Sequence, residues 1–248
     1  SKISAGILII GDEILSGRTL DSNSNFIAKR LIDAGIKLDE IKVIHDDQDT
    51  IINSVLDFHK KYNYVFTTGG IGPTHDDITS ESISIAFKKK YCFNEKAYKI
   101  LEEYYPKGEF NEGRKKMAKM PEGSELILNP LTAAPGFKIK NIYVLPGVPD
   151  IMKKMFVSLL ETLKKGNPKK IVTININLYE STIAKDLEKI QKDNSDCSIG
   201  SYPYFNYISK SGGVNIVVSS WTKSNLDTII DDIIKMVSLL GGKSKIVW

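Results

Sequence analysis

Tyr64-Val65-Phe66-Thr67-Thr68-Gly69-Gly70-Ile71-Gly72-Pro73-Thr74-His75-Asp76-Asp77-Ile78-Thr79 is the stretch whose reading decides the fold. Tyr64 to Phe66 is a short β-branched and aromatic run, and beyond Ser80 the residues Ile83, Ala86 and Phe87 fall on one helical face. The order is strand, glycine-rich loop, helix. Gly69, Gly70 and Gly72 let the backbone take positive φ and approach a ligand closely. Free N–H groups there and at the start of the next helix make an anion site. Asp76 and Asp77 would repel a phosphate, so they make sense if a divalent cation lies between them and the ligand. The plain alternative is a Gly-Gly turn followed by an Asp N-cap.

Working outward, the same pattern recurs. Ser4 to Ile10 reads as a buried strand ending in Gly11-Asp12-Glu13 and Gly17-Arg18. A helix capped by Asp21 or Ser22 runs through Phe26, Ile27 and Leu31 to Gly35. The strand Ile41 to Ile44 then leads through His45-Asp46-Asp47 into a helix carrying Ile51, Val55 and Phe58. Strands alternating with helices predict βαβ units around a parallel sheet. In such sheets the ligand crevice lies beyond the carboxyl ends of the strands. Asp12-Glu13 and Asp76-Asp77 both follow strand ends, so they are expected to converge although 64 positions separate Asp12 from Asp76.

Further on, Asn94 to Tyr105 reads as a helix, Pro106 to Arg114 as a polar stretch and Glu125 to Ile127 as a short strand. Asn129 to Phe137, rich in proline and small residues, is either a rigid connector or a wall of the pocket. Asn141 to Leu145 is a strand, and a helix follows from about Asp150 to Leu163. Lys164 to Lys169 reads as a linker, dividing a domain of residues 1–166 from one of residues 167–248. Beyond it, Ile171 to Leu178 alternates as an antiparallel strand does. A β-α-β-β-α order follows, with Ile246-Val247-Trp248 as a candidate edge strand. The fold class is therefore α/β, a three-layer, mostly parallel sheet, with a small C-terminal α+β domain.

Composition narrows the partners. A net charge of +4, from 34 Lys and Arg against 30 Asp and Glu, is too mild to argue for nucleic acid. Two distant cysteines, Cys92 and Cys197, give neither a zinc spacing nor a disulfide framework and fit a reducing cytoplasm. No apolar run reaches the roughly 18 residues of a membrane span, and no signal-peptide pattern is present.

Four blocks occur in one order: Gly11-Asp12-Glu13-Ile14-Leu15-Ser16-Gly17, Gly69 to Glu81, Asn129-Pro130 with Ala134-Pro135-Gly136, and Leu145-Pro146-Gly147-Val148-Pro149. The chain thereby resembles the molybdopterin-binding (MoaB/MogA-like) domain, in the branch of the competence/damage-inducible protein CinA and the N-terminal part of eukaryotic FAD synthases. Glu180 to Leu187 and Ile199 to Pro203 resemble the KH-type α+β segment that follows this domain in CinA-like proteins. The resemblance implies a metal-dependent nucleotide pyrophosphatase acting on ADP-ribose, FAD or coenzyme A, and a homodimer. With the chain ending at Trp248, neither an amidase nor an adenylyltransferase activity is expected. His75 is the more FAD-synthase-like residue in its loop, and Ile151 stands where the family commonly has Glu.

The expected mechanism is hydrolysis of a diphosphate by a cation-activated water. Asp12, Glu13, Asp76 and Asp77 would hold the metal (Mg, Mn or Co, with K+ as a further candidate), and Asp76, Asp77 and Asp12 are the catalytic candidates. Gly69, Gly70, Gly72, Thr74, Thr79, Asn129, Pro135, Gly136, Pro146 and Gly147 are the candidates for substrate contact, with Arg18 and Lys138 as weaker ones. His75 is read as an acid/base residue or a packing group, His45 and His59 as surface residues, and Tyr202 and Phe205 as core or base-stacking residues. Two other readings stay open: a molybdopterin-binding protein of cofactor biosynthesis, and a nucleotide-binding module without catalysis.

Overall fold

The structure is a computed structural model that describes residues 2–247. The chain divides into two compact units between Gly166 and Asn167.

In the first unit the elements run β1 (Ile3–Ile10), α1 (Asp12–Leu15), α2 (Asn23–Asp33), β2 (Ile36–Ile44), α3 (Gln48–Lys61), β3 (Tyr64–Thr68) and α4 (Thr79–Ala86). They continue with β4 (Tyr91–Phe93), α5 (Glu95–Tyr104), α6 (Glu112–Lys116), β5 (Lys119–Pro121), β6 (Glu125–Ile127), β7 (Gly136–Ile139), β8 (Ile142–Leu145) and α7 (Pro149–Thr162). Six strands form one sheet in the order β2-β1-β3-β8-β7-β6. The pairs β1–β2, β1–β3 and β3–β8 are parallel, whereas β8–β7 and β7–β6 are antiparallel. The mostly parallel α/β expectation therefore holds.

Side-chain alternation along β1 explains the three layers. Ile7 and Ile9 point into a core with Leu31 of α2 and Phe156 of α7. Leu8 and Ile10 point the other way, toward Phe58 of α3 and Ile83 of α4. Phe66 meets Phe156 edge-on, with ring centroids 5.2 Å apart.

Two elements differ from the sequence expectation. β2 starts at Ile36, directly after Gly35 closes the helix at φ 70°, rather than at Ile41. It is an edge strand in which Asp39 is exposed and Lys37 and Glu40 are half-buried, and these charged residues mask the pattern. The proline-rich segment ends as β7, which returns to β8 through a tight turn with Lys140 at φ 52°.

The second unit contains β9 (Lys170–Ile176), α8 (Glu180–Asp193), β10 (Ser198–Asn206), β11 (Ser211–Ser220), α9 (Asp227–Leu239) and β12 (Ser244–Val247). Its sheet has the order β10-β11-β9-β12 and is antiparallel throughout. Ile174, Ile176, Val214 and Ile216 form its core with Ile183 of α8 and Ile233 of α9. The edge strand expected at Ile246-Val247-Trp248 is present through Val247, and Trp248 lies outside the described residues. Tyr202 and Phe205 are exposed, not core residues as one sequence reading had it, because β10 continues to Asn206 past the core.

Candidate functional site

The strands β1, β2, β3 and β8 are parallel and end together. Gly11 N–H donates to Ile44 O at 3.1 Å, and Gly69 N–H to Leu145 O at 3.1 Å. Four loops therefore open at one edge of the sheet: Gly11–Glu13, His45–Asp46, Gly69–Asp77 and Pro146–Val148. That is the crevice expected of a parallel sheet.

The glycine loop needs its glycines. Gly69 has φ 99°, and a Cβ there would lie 2.1 Å from Ile10 O. Gly70 has φ 71°, and a Cβ there would lie 2.1 Å from Thr79 Oγ1. The loop is pinned on the inside by Thr79, whose N–H donates to Gly70 O at 3.0 Å and whose hydroxyl donates to Gly69 O at 3.0 Å. Among the described residues the N–H groups of Gly70, Ile71 and Gly72 find no acceptor within the chain. They are the donors that an anion can use.

This loop walls a cavity of about 490 Å³. Its lining includes the acidic residues Glu13, Asp46, Asp76 and Asp77 and the apolar residues Ile71, Met117, Pro135, Val148 and Ile151. The cavity is large enough for a fused heterocycle bearing a phosphate.

Its acidic side is organised by hydrogen bonds. Asp12 N–H donates to Asp46 Oδ2 at 3.0 Å, and His45 Nδ1 lies 2.7 Å from Asp12 Oδ1. Thr74 N–H donates to Asp77 Oδ2 at 2.9 Å, and its hydroxyl faces both Asp76 and Asp77. Burial holds the Asp46 carboxyl above its ordinary range, and the charges of Asp12, Glu13 and Asp76 push it the same way. The Thr74 hydroxyl holds Asp76 below its ordinary range, helped by a backbone N–H and by His75 and Lys116.

Several expected residues stand elsewhere. Asp12 does not line the cavity; it is exposed and engaged by His45 and by the backbone of Asp46. Thr79 is fully buried with its hydroxyl committed to Gly69 O, so it holds the loop rather than a ligand. Asn129 touches the cavity, but its amide is spent on Leu131, Thr132 and Ala134, which fixes the 129–134 loop. Gly136 lies outside the cavity; a Cβ there would meet Val144 O at 2.3 Å, so it serves the β7–β8 pairing. His75 does not reach the cavity. Lys138 pairs with Glu125 at 3.5 Å and lines a different cavity, about 860 Å³, along the β6 edge. That larger space has neither the glycine loop nor the converging strand ends. His59 is half-buried against Phe87 rather than on the surface.

The expected metal set fails a geometric test. Among the described residues no three His, Cys, Asp or Glu side chains are grouped to hold a metal ion. A divalent cation needs several oxygens converging at about 2.0–2.6 Å. Here Asp12 turns to His45, while Asp76 and Asp77 turn to Thr74. Among the described residues the donors present do not form a cation cage.

Asp46 lines the cavity and Asn23 holds one of its walls, and neither stands among the candidates read from the sequence. Asp46 lies two residues past the end of β2 as Asp12 lies two past the end of β1, so the logic that singles out the other two acidic loops applies to it as well. Asn23, at the start of α2, donates to Gly147 O at 2.9 Å and buries its own carbonyl oxygen without a partner; its place in sequence gave no hint of this.

The sequence was compared with known proteins. Residues 6–165 match the family model described as a probable molybdopterin binding domain, and residues 170–239 match the FAD synthase middle domain. A protein of Archaeoglobus fulgidus is 39% identical over 202 residues, covering 82% of this chain and 86% of that one. A CinA-like protein of Thermosipho melanesiensis is 37% identical over 181 residues, covering 68% of this chain but 45% of the relative. The crystal structure of the protein CinA with unknown function from Thermoplasma acidophilum superposes with a TM-score of 0.61 at 31% identity, covering 65% of this chain and 98% of that one.

Proposed function

The chain belongs to the molybdopterin-binding domain family, in its CinA-like branch, and we propose that its loop cavity binds a phosphorylated pterin of the molybdopterin class. One observation carries this reading. Gly70, Ile71 and Gly72, whose N–H groups are unengaged among the described residues, line one cavity together with Glu13, Asp46, Asp76 and Asp77, and among the described residues no three acidic side chains are grouped to hold a metal ion. The donors suit a phosphate. Asp46, Asp76 and Asp77 already accept from Asp12 N–H and from Thr74, and the Glu13 carboxylate is left for a ring edge with two adjacent N–H donors, which a carboxylate accepts side by side. The aminopyrimidinone edge of a pterin offers such a pair. Adenine sets its amino group beside a ring acceptor, and a flavin sets its one ring N–H between two carbonyls.

Calorimetric titration with a pterin phosphate, ADP-ribose and FAD tests the reading. A bidentate pair discriminates by about 1–3 kcal/mol, so the pterin should bind about 5- to 150-fold tighter. Equal affinity for all three ligands contradicts it.

A second reading, hydrolysis of a nucleotide diphosphate, rests on the same carboxylates lining the cavity that holds the anion loop. Its support is weaker, because among the described residues these carboxylates are not grouped as a metal set. AMP release from ADP-ribose or FAD with Mg²⁺, Mn²⁺ or Co²⁺, abolished by chelator and by Asp76→Ala, would establish it; no AMP under any of these conditions removes it. A homodimer goes with either reading, and light scattering at 27.7 kDa rather than twice that mass rejects it.

A further inference from the structure

The turn that carries Asp76 and Asp77 is braced from behind by a side chain no sequence pattern had marked. Lys116, the last residue of α6, directs its ammonium at two backbone carbonyls of that turn, Thr74 O and Asp77 O, the second at 2.8 Å. Thr74 O also accepts from Asp77 N–H at 3.3 Å, so the lysine adds to the closure of the turn. α6 comes close enough because its second residue is glycine: a Cβ on Gly113 would lie 3.0 Å from Pro73 O. The residue after Lys116, Met117, lines the cavity. The segment therefore touches the anion loop at Pro73, Thr74 and Asp77, and the cavity at Met117.

Physical chemistry gives this contact weight. Bonds from an ammonium to a carbonyl are charge-assisted and stronger than neutral ones. The loop they hold contains Gly69, Gly70 and Gly72, whose unfolded freedom makes a fixed arrangement costly in entropy. The loop also carries two carboxylates beside the donors meant for an anion, and a cation at the same turn reduces their repulsion. Arg18 and Lys138, the cations first considered for the phosphate, do not line the cavity.

We propose that Lys116 is a positioning residue: it fixes the Thr74–Asp77 turn so that the N–H groups of Gly70 to Gly72 face the anion, and it offsets the charge of the acidic pair. The ligand half of this statement rests on the function proposed above; the loop half does not.

The test compares the full-length chain with Lys116→Met, which keeps the aliphatic stem, and Lys116→Arg, which keeps the charge and donors. Amide hydrogen exchange is read without ligand at Thr74 and Asp77, the amides of the turn that donate within it, and inorganic pyrophosphate is titrated by calorimetry. Lys116→Met should speed exchange at these two amides and raise the pyrophosphate Kd, each by about tenfold or more, while core amides such as those of β1 keep wild-type rates. Lys116→Arg should stay within about threefold of wild type on both measures. Wild-type exchange rates in Lys116→Met overturn the brace, and so does a loss in Lys116→Arg as large as that in Lys116→Met. If the wild-type chain binds no pyrophosphate, the phosphate-binding function fails, and the exchange comparison still decides the brace.

Discussion

Replacing Gly70 by Ala should destabilise the first unit by an amount that depends on Thr79. The alanine must hold φ near 71°, which for a left-handed residue costs roughly 1–2 kcal/mol. Its Cβ would also lie 2.1 Å from Thr79 Oγ1, and overpacking of this kind costs about 1–3 kcal/mol. The sum is about 2–5 kcal/mol, which for a unit of this size lowers the melting temperature by roughly 4–20 °C. Thr79→Ala alone removes the hydroxyl bonded to Gly69 O and should cost about 1–3 kcal/mol, since it leaves a buried carbonyl short of a donor. The double variant keeps the strained φ but loses the collision, so it should be more stable than the sum of the single losses by about 1–3 kcal/mol. Scanning calorimetry on the full chain is the assay. Tryptophan fluorescence would not serve, because Trp221 and Trp248 both lie beyond Asn167. Strict additivity, or an unchanged Gly70→Ala protein, would refute the packing argument.

Other outcomes follow from the same geometry. Asp46→Asn should raise stability at neutral pH: the folded carboxyl sits above its unfolded pKa near 3.8, so its ionisation opposes folding as pH rises through that interval, and the gain should vanish below it in a pH series of melting temperatures. Asp47 is the reverse case. Thr50 holds its carboxylate below 3.8, so the α3 cap contributes above that pH and is lost as pH falls through the folded value; Asp47→Asn should flatten this part of the acid unfolding profile. Phe156→Ala should cost about 3–5 kcal/mol in urea unfolding, because the ring is fully buried against Phe66 and Phe26. Lys138→Met should leave pterin phosphate affinity within about twofold, as Lys138 lines the other cavity.

The architecture was legible because its signals were local and repeated. Apolar runs such as Ile7 to Ile10 and Tyr64 to Phe66, leading into the glycine loops at Gly11 and Gly69, mark parallel strands whose loops must meet. The convergence of Glu13 with Asp76 and Asp77 followed from topology alone, whereas Asp12 turns to His45 and Asp46 joins the cavity unannounced. What the side chains do once there was not legible. Whether Asp76 faces a cation or Thr74, and whether the Thr79 hydroxyl faces a phosphate or Gly69 O, depends on differences of an ångström that no spacing encodes. Lys116 and Asn23 act through backbone carbonyls far away in sequence, and a carbonyl has no residue identity to read. β7 was hidden because it opens with glycine, carries Lys138 and is paired mainly through backbone groups.

A titration of isotopically labelled chain with a pterin phosphate, followed through amide resonances, most directly tests where the ligand sits. The glycine-loop account predicts that the signals of Gly70, Ile71 and Gly72 move first and farthest, with those of Glu13 and Asp46 following. Shifts centred on Glu125, Leu126 and Lys138, at the β6 edge, would contradict it.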